Sequence, residues 1–362
     1  MELPDRLVAR LRGEGATDAS GDVATKADPG AEVDLDRRRM LRAAAVGGLG
    51  LGAAKAVDNV LVGYGPLVGE NLHTQSLAAL ASEGLFTGRR SVAADGHRLV
   101  LVKGALGVFD GEERRVVLSV SETTPAEAAA LDTELGLSSG PLEEVVRDLR
   151  VLTDAPAPFA FGDLEETFAR GRTAEPRPHT TGLLRGGSLG VPAALVSEFT
   201  DADPTDPEAV VRGLVGAFRE KTDYDVPRYL AGAVQFNLAM NAVSLREPFE
   251  DPVDWGALTD GETTGLFCNE YAKRSVEALH AADPRVQTPP TVGALVFDTR
   301  HRHVYTLAAS VVREDGDLVV PTTFLDYMHS TLYGDVGLTG VMGEGLEAYD
   351  RRHRATEIGW RH

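Results

Sequence analysis

The only cysteine of the chain, Cys268, is the residue whose surroundings most clearly indicate chemistry. It lies in the segment 265–272 (GLFCNEYA), and a helical pattern with apolar Val276 and Leu279 follows. Because the first turn of a helix carries partial positive charge, this position favours the thiolate form of a cysteine. The backbone N–H of Cys268 could also receive an oxyanion. The alternative is a buried cysteine that only fills space in the core.

A histidine and an aspartate lie downstream of the cysteine. His303 follows Cys268 by 35 residues, and Asp326 follows His303 by 23 residues. An imidazole beside a thiol takes its proton and holds the thiolate, while a carboxylate orients the imidazole and stabilises its charged form. Asp317, in a predicted hairpin turn, is a weaker candidate for the carboxylate.

The context of these residues resembles the transglutaminase-like superfamily. Cys268 stands in a C-x-x-Y-A motif, and His303 opens a His-Val-Tyr strand. The resemblance covers residues 205–330 and implies a papain-like Cys-His-Asp triad, with Cys268 as nucleophile and His303 as base. The aspartate of that family commonly precedes a Pro-Thr pair, where this chain has Val320. The nearest acid is Asp326, which is the predicted third member of the triad from a shifted position. The alternative is a site that lacks an acid and is weak or inactive.

The resemblance also implies an oxyanion donor upstream of the cysteine, for which Gln235 and Trp255 are the candidates. It implies attack on an amide or peptide carbonyl, a thioester intermediate, and hydrolysis or acyl transfer when water or an amine resolves that intermediate. A protein or peptide is the expected substrate, and no cofactor is expected. The alternative is a catalytically inactive member of the same fold that serves as a surface or interaction module.

A metal site at the histidines is the competing interpretation. His301 and His303 are two residues apart, so on a strand both side chains point to one face, as metal ligands often do. No third ligand stands at a recognisable spacing, and Arg300 and Arg302 would repel a cation. The sequence therefore predicts no metal.

A helix and three strands must position the triad. Valine-rich runs predict strands over 291–297, 303–312 and 318–322, with a hairpin turn at 314–317 between the last two. The predicted fold class is α+β, in which a helix that begins at Cys268 packs on an antiparallel sheet. Upstream, predicted strands and helices form a smaller α+β module without site chemistry.

Composition shifts along the chain predict six segments. They are a disordered acidic tail (1–35), a twin-arginine-like signal or membrane-associated helix (36–60), a small α+β module (70–155), a linker (156–190), a transglutaminase-like domain (191–345) and a basic C-terminal tail (346–362).

The arginine-rich segment near the N-terminus resembles a twin-arginine export signal. Arg37, Arg38 and Arg39 precede a short apolar run over 43–54. This predicts export, with membrane or cell-surface association, and the alternative is a buried or amphipathic helix of a cytoplasmic protein. The glycines at 48–52 do not indicate dinucleotide binding, because no strand-like run precedes them.

The charge balance is strongly acidic. The chain has 55 acidic and 36 basic residues, a formal charge of −19, and only five of the basic residues are lysine. Carboxylates hold hydration where salt screens their repulsion, so this composition favours a halophilic, haloarchaeal source. An acidic protein from a GC-rich mesophile is the alternative. Nucleic acid is excluded as a partner, because the basic footprint for phosphate binding is absent.

Overall fold

A computed structural model describes most of the chain beyond residue 75. The described residues are 76–83, 85, 88–153, 158–186, 191–225, 254–260, 265–299, 303–328, 331 and 355–360. The chain divides into two units, 1–49 and 50–362, and every described residue belongs to the second. The predicted acidic tail and twin-arginine segment lie outside the described residues. No helix in the described ranges is long and apolar enough to cross a bilayer.

The described helices are mostly short. They are α1 (Leu77–Ser82), α2 (Pro125–Leu135), α3 (Pro141–Thr153), α4 (Leu164–Thr173), α5 (Pro178–Arg185), α6 (Ala193–Thr200), α7 (Pro207–Lys221), α8 (Trp255–Asp260) and α9 (Cys268–Leu279).

The described strands form three sheets. They are β1 (Arg89–Ala94), β2 (His97–Val102), β3 (Ala105–Asp110), β4 (Glu113–Ser119), β5 (Phe159–Phe161), β6 (Glu175–Pro176), β7 (Asp223–Tyr224), β8 (Gly265–Leu266), β9 (Val292–Asp298), β10 (His303–Ala309), β11 (Val312–Glu314), β12 (Asp317–Leu325) and β13 (Glu357–Gly359).

Strands β1 to β4 form an antiparallel meander in sequence order. Its first turn is Asp95-Gly96, where both residues have positive φ (47° and 82°). Two-residue hairpins need this conformation, and glycine adopts it without steric cost. Helix α2 follows and begins with a capping box: Thr124 Oγ1 accepts from Glu127 N, and Glu127 Oε2 accepts from Thr124 N.

The larger sheet has the strand order β13-β9-β10-β12-β11-β6, and β5 pairs in parallel with β12. The neighbours β9, β10 and β12 are antiparallel. The predicted turn at 314–317 joins β11 to β12, because the predicted strand 303–312 is divided into β10 and β11. Strand β12 is long enough to pair with β11 through its first residues and with β10 through its last. The described part of the chain is therefore α+β, and its strand pairs are antiparallel except β5–β12 and β7–β8.

Two main apolar cores pack the described helices and sheets together. The first joins residues of the N-terminal strands and helices, such as Leu99 and Leu142, to Val296, Phe324 and Trp360 of the larger sheet and its C-terminal edge. The second surrounds helices α4, α6, α7, α8 and α9 and includes Phe168, Phe218 and Cys268 among other residues. The predicted N-terminal module thus shares a core with the larger sheet.

The range 156–190, which the sequence predicts to be a linker, is folded over 158–186. It contains α4 and α5, and its strands β5 and β6 pair with β12 and β11. The polar composition of the range conceals this, because two of its arginines, Arg177 and Arg185, are buried against acceptors. Arg177 donates to Asp148, and Arg185 donates to main-chain carbonyl groups.

The predicted basic C-terminal tail also contains ordered structure in its described part. Strand β13 pairs antiparallel with β9, and Trp360 is buried with its indole N–H donating to the carbonyl of Ala81. Residues 355–360 therefore form an edge of the larger sheet.

Candidate active site

Helix α9 begins at Cys268, as the sequence predicts. Phe267 is the N-cap, and the carboxylate of Glu270 accepts a hydrogen bond from Phe267 N over 2.7 Å. This negative charge lies in the first turn, where the helix dipole stabilises it. Since Cys268 is the first helical residue, its backbone N–H has no acceptor within the helix. An oxyanion is a suitable acceptor for it.

The sheet places His303 and Asp326 on one face. His303 is the first residue of β10, and Asp326 follows the last residue of β12 directly. The register pairs Thr306 with Leu325, so its continuation sets Asp326 opposite Tyr305. Residues two apart on a strand share a face, and diagonal neighbours on paired strands come within reach. Asp326 is therefore a diagonal neighbour of His303.

The two side chains form a short hydrogen bond. His303 Nε2 lies 2.7 Å from Asp326 Oδ2, and the other carboxylate oxygen accepts from Met328 N over 3.0 Å. Asp326 is 1% exposed and His303 4% exposed, so water competes little for either group. The main-chain bond to Met328 fixes the carboxylate, and the carboxylate in turn orients the imidazole.

Cys268 contributes to the electrostatics of the same imidazole. Burial lowers the pKa of His303, but the charge and hydrogen bond of Asp326, followed by those of Cys268, outweigh burial and hold the pKa well above 6.5. Because Nε2 is bonded to Asp326, Nδ1 is the ring nitrogen left for the sulfur. Thiol, imidazole and carboxylate are thus arranged in that order around one ring, which is the arrangement that nucleophilic catalysis by a cysteine needs.

The structure describes one of the two predicted oxyanion donors, Trp255, and not the other, Gln235. Trp255 begins α8, and its indole Nε1–H donates to Glu277 Oε2 over 2.8 Å, so this donor is engaged within the protein. Gln235 lies outside the described residues, and its role remains a prediction. Among the described donors, the backbone N–H of Cys268 is the group placed beside the sulfur.

The weaker acid candidate lies at the other end of its strand. Asp317 is exposed at the β11–β12 turn, where it pairs with Glu314, and eight residues separate it from Leu325 at the end of β12. Val320, at the position where the resemblance implies an aspartate, is buried and pairs with Phe159 of β5.

Two hydroxyl pairs near the site were not anticipated from the sequence. Tyr327, the residue after Asp326, lies with its hydroxyl oxygen 3.1 Å from Ser275 Oγ on α9, and burial raises the pKa of this phenol. Tyr271 of α9 makes a similar 3.1 Å contact with Thr222. The first pair connects the residue after Asp326 to α9. Ser275 lies seven residues after Cys268, on the same helix face, which is the signal that could have revealed it.

Within the described ranges, no group of three or more His, Cys, Asp or Glu side chains could hold a metal ion. His301, the partner of His303 in the metal interpretation, lies outside those ranges.

Comparisons of the chain with protein-family models, curated proteins and solved structures found no match.

Proposed function

We propose that this chain carries out cysteine-dependent amide chemistry, with Cys268 as nucleophile, His303 as base and acid, and Asp326 as the orienting carboxylate. The observation that carries the proposal is that one buried imidazole interacts with the carboxylate of Asp326 at Nε2 and also with Cys268. A protein or peptide is the substrate class that this chemistry implies.

The first half-reaction forms a thioester. The Cys268 thiolate attacks the carbonyl carbon, and the oxyanion develops beside the N–H at the start of α9. The C–N bond then breaks as the His303 imidazolium gives its proton to the leaving amine. Asp326 keeps the ring oriented and stabilises its charged form.

The second half-reaction releases the acyl group. Neutral His303 takes a proton from water or from an acceptor amine, and the oxygen or nitrogen attacks the thioester carbonyl. The C–S bond breaks, which regenerates the thiolate. Hydrolysis and acyl transfer thus use the same three residues and differ in the second nucleophile.

The order of elements supports a transglutaminase-like fold for this part of the chain. A helix that begins at the cysteine packs against β9 and β10, and antiparallel strands carry first the histidine and then the aspartate. The departure is the position of the acid, which follows β12 at Asp326 instead of lying within the strand at Val320.

The burial of the site supports a second candidate, a non-catalytic interaction module with the same fold. Cys268 is 5% exposed, and both its partners are more deeply buried. A substrate carbonyl can reach the sulfur only if the protein opens locally. A site that never opens would be inert.

Alkylation of the thiol separates the two candidates. Because Cys268 is the only cysteine, iodoacetamide incorporation measured by intact-protein mass spectrometry reports on this sulfur alone. An active site predicts that native protein at pH 7 is labelled and that His303→Ala slows labelling about tenfold or more. His97→Ala, on the distant β2, is the matched control and should label at the wild-type rate. Equal rates in all three folded proteins, or no labelling of native protein, would support the inert module.

Turnover provides the direct test. Wild-type protein and Cys268→Ser are incubated with a panel of peptides, with and without methylamine, and the products are identified by mass spectrometry. A new carboxyl group indicates hydrolysis, and a methylamide indicates transfer. Either product must be absent with Cys268→Ser.

A further inference from the structure

A cleft of about 280 Å³ lies at the opposite end of α9 from Cys268. Its walls are residues 91–93 of β1, the C-terminal end of α5 with Gly182 and Arg185, and the segment 280–284 after α9. The 12 residues of α9 rise by about 17 Å, so this cleft is separate from the candidate active site.

Arg185 is the distinctive group in its wall. The side chain is 8% exposed, and burial lowers the pKa of its guanidinium to about 9. Its hydrogen bonds all go to neutral oxygens: the carbonyl groups of Ala282 and Thr291 and the side-chain amide of Gln287. Among the described residues, no carboxylate accepts a hydrogen bond from this buried guanidinium, although fully buried arginines are usually paired with one.

One donor of Arg185 remains available. A guanidinium has five N–H groups. Nε donates once to Thr291, Nη2 donates to both Thr291 and Gln287, and Nη1 donates only to Ala282. The second N–H of Nη1 is therefore free to bind a group in the cleft.

The other ionisable groups of the cleft offset the charge of Arg185 only in part. Asp283 also lines the cleft, and its charge acts to raise the pKa of Arg185. Asp283 accepts two side-chain hydrogen bonds from Arg285, at 2.9 and 2.6 Å, so these three groups together carry one net positive charge. His280 accepts from Gly293 N at Nε2 over 2.8 Å, so its ring is neutral with the proton on Nδ1. In a chain of charge −19, this wall thus carries a local positive charge.

We infer that this cleft is a binding site for a small oxyanion, a carboxylate or phosphate group that accepts a hydrogen bond from Arg185. Such a group satisfies the remaining donor and neutralises the buried guanidinium with the charge-assisted geometry that arginine favours. The size of the cleft admits a small molecule and excludes a folded partner.

Isothermal titration calorimetry tests this inference. Sodium phosphate and sodium acetate are titrated separately into the full chain at pH 7.5, with sodium chloride holding the ionic strength constant. Saturable binding of one or both anions at a single site is expected, and the anion that binds identifies the class. Absence of saturable heat with both would overturn the proposal.

Substitutions in the cleft wall test whether the anion binds beside Arg185. Ala93 is exposed on the cleft wall, so Ala93→Glu adds a carboxylate without disturbing the core. Repulsion should weaken binding about fivefold or more, while the neutral Ala93→Gln should stay within about twofold of wild type. Arg185→Gln should abolish binding, and Ala93→Glu keeps the test decisive if that variant does not fold. Wild-type affinity in Ala93→Glu, or an equal loss in Ala93→Gln, would contradict recognition by charge.

Discussion

His303 Nε2 lies 2.7 Å from Asp326 Oδ2, across two strands whose register makes these residues diagonal neighbours. The contact joins a strand start to a strand end that are 23 residues apart in the chain. It also fixes which ring nitrogen faces each partner: Nε2 is bonded to Asp326, so Nδ1 is the nitrogen left for Cys268.

Asp326→Asn should lower the pKa of His303. In the wild type, the charge and hydrogen bond of Asp326 outweigh burial and raise that pKa well above 6.5. Without the charge, burial dominates and favours the neutral ring. NMR titration of the His303 ring should show the drop. Asp317→Asn, in the exposed turn, is the matched control and should leave the titration of His303 unchanged.

The same pair links stability to pH. Because the folded-state pKa of His303 is raised, its stabilising contribution is fully present below pH 6.5 and is lost as pH rises through the folded pKa. Urea unfolding at a series of pH values should show this loss in the wild type and a smaller one in Asp326→Asn. Identical pH profiles would contradict the coupling.

The hydrogen bond between Tyr327 and Ser275 should couple the segment after Asp326 to α9 and stabilise the fold. Tyr327→Phe and Ser275→Ala each remove one side of a buried 3.1 Å hydrogen bond and should cost about 1–3 kcal/mol of unfolding free energy. The double variant should cost less than the sum, with a coupling of about 1 kcal/mol in a denaturant-based cycle. Additive losses would show that the hydroxyls do not interact.

Glu144→Gln should remove a pH-dependent loss of stability. Burial raises the pKa of Glu144 from 4.5 to about 7. The folded state therefore holds this proton more tightly than the unfolded state, and stability falls as pH rises from 4.5 to 7, by roughly 3 kcal/mol. Glutamine retains an acceptor for Thr180 N, which bonds Glu144 over 2.9 Å.

Unfolding of Glu144→Gln should accordingly vary less with pH across this interval, and the variant should exceed wild type in stability above pH 7. Glu143→Gln, one residue away and partly exposed, is the control and should follow the wild-type profile. A steeper profile in Glu144→Gln would contradict the assignment.

Among the carboxylates of the described residues, replacement of Asp148 should cause the largest loss of stability. It is fully buried and accepts from Arg177 over 2.8 Å, from Arg313 over 2.8 and 3.0 Å, and from the Thr180 hydroxyl over 2.9 Å. Asp148→Ala leaves two largely buried guanidinium groups without this partner and should cost about 3–5 kcal/mol. Chemical denaturation measures the loss.

Glu175→Gln provides the comparison for Asp148. Glu175 also bonds Arg177, at 2.8 Å, but its side chain is 64% exposed. Solvent screens this contact, so its removal should cost less than about 1 kcal/mol. Comparable losses in the two variants would show that burial does not set the strength of these pairs.

The sequence by itself determined the elements that depend on local interactions. The capping box of Thr124 and Glu127 starts α2, the segment around Cys268 starts α9, and the turn at 315–316 separates β11 from β12. Each of these elements depends on contacts between residues a few positions apart. Such contacts form independently of the rest of the chain. For that reason Cys268 and His303 could be assigned to a helix start and a strand start.

Only the tertiary structure decided how distant segments pair. The register of β12 on β10 brings Asp326, and not Asp317, to His303, and a shift by one residue would turn Asp326 to the other face. Pairing with β12 likewise makes β5 part of the sheet, although the composition of 156–190 predicts a linker. Such contacts depend on burial and on ion pairs between residues far apart in the chain, and no local pattern specifies them.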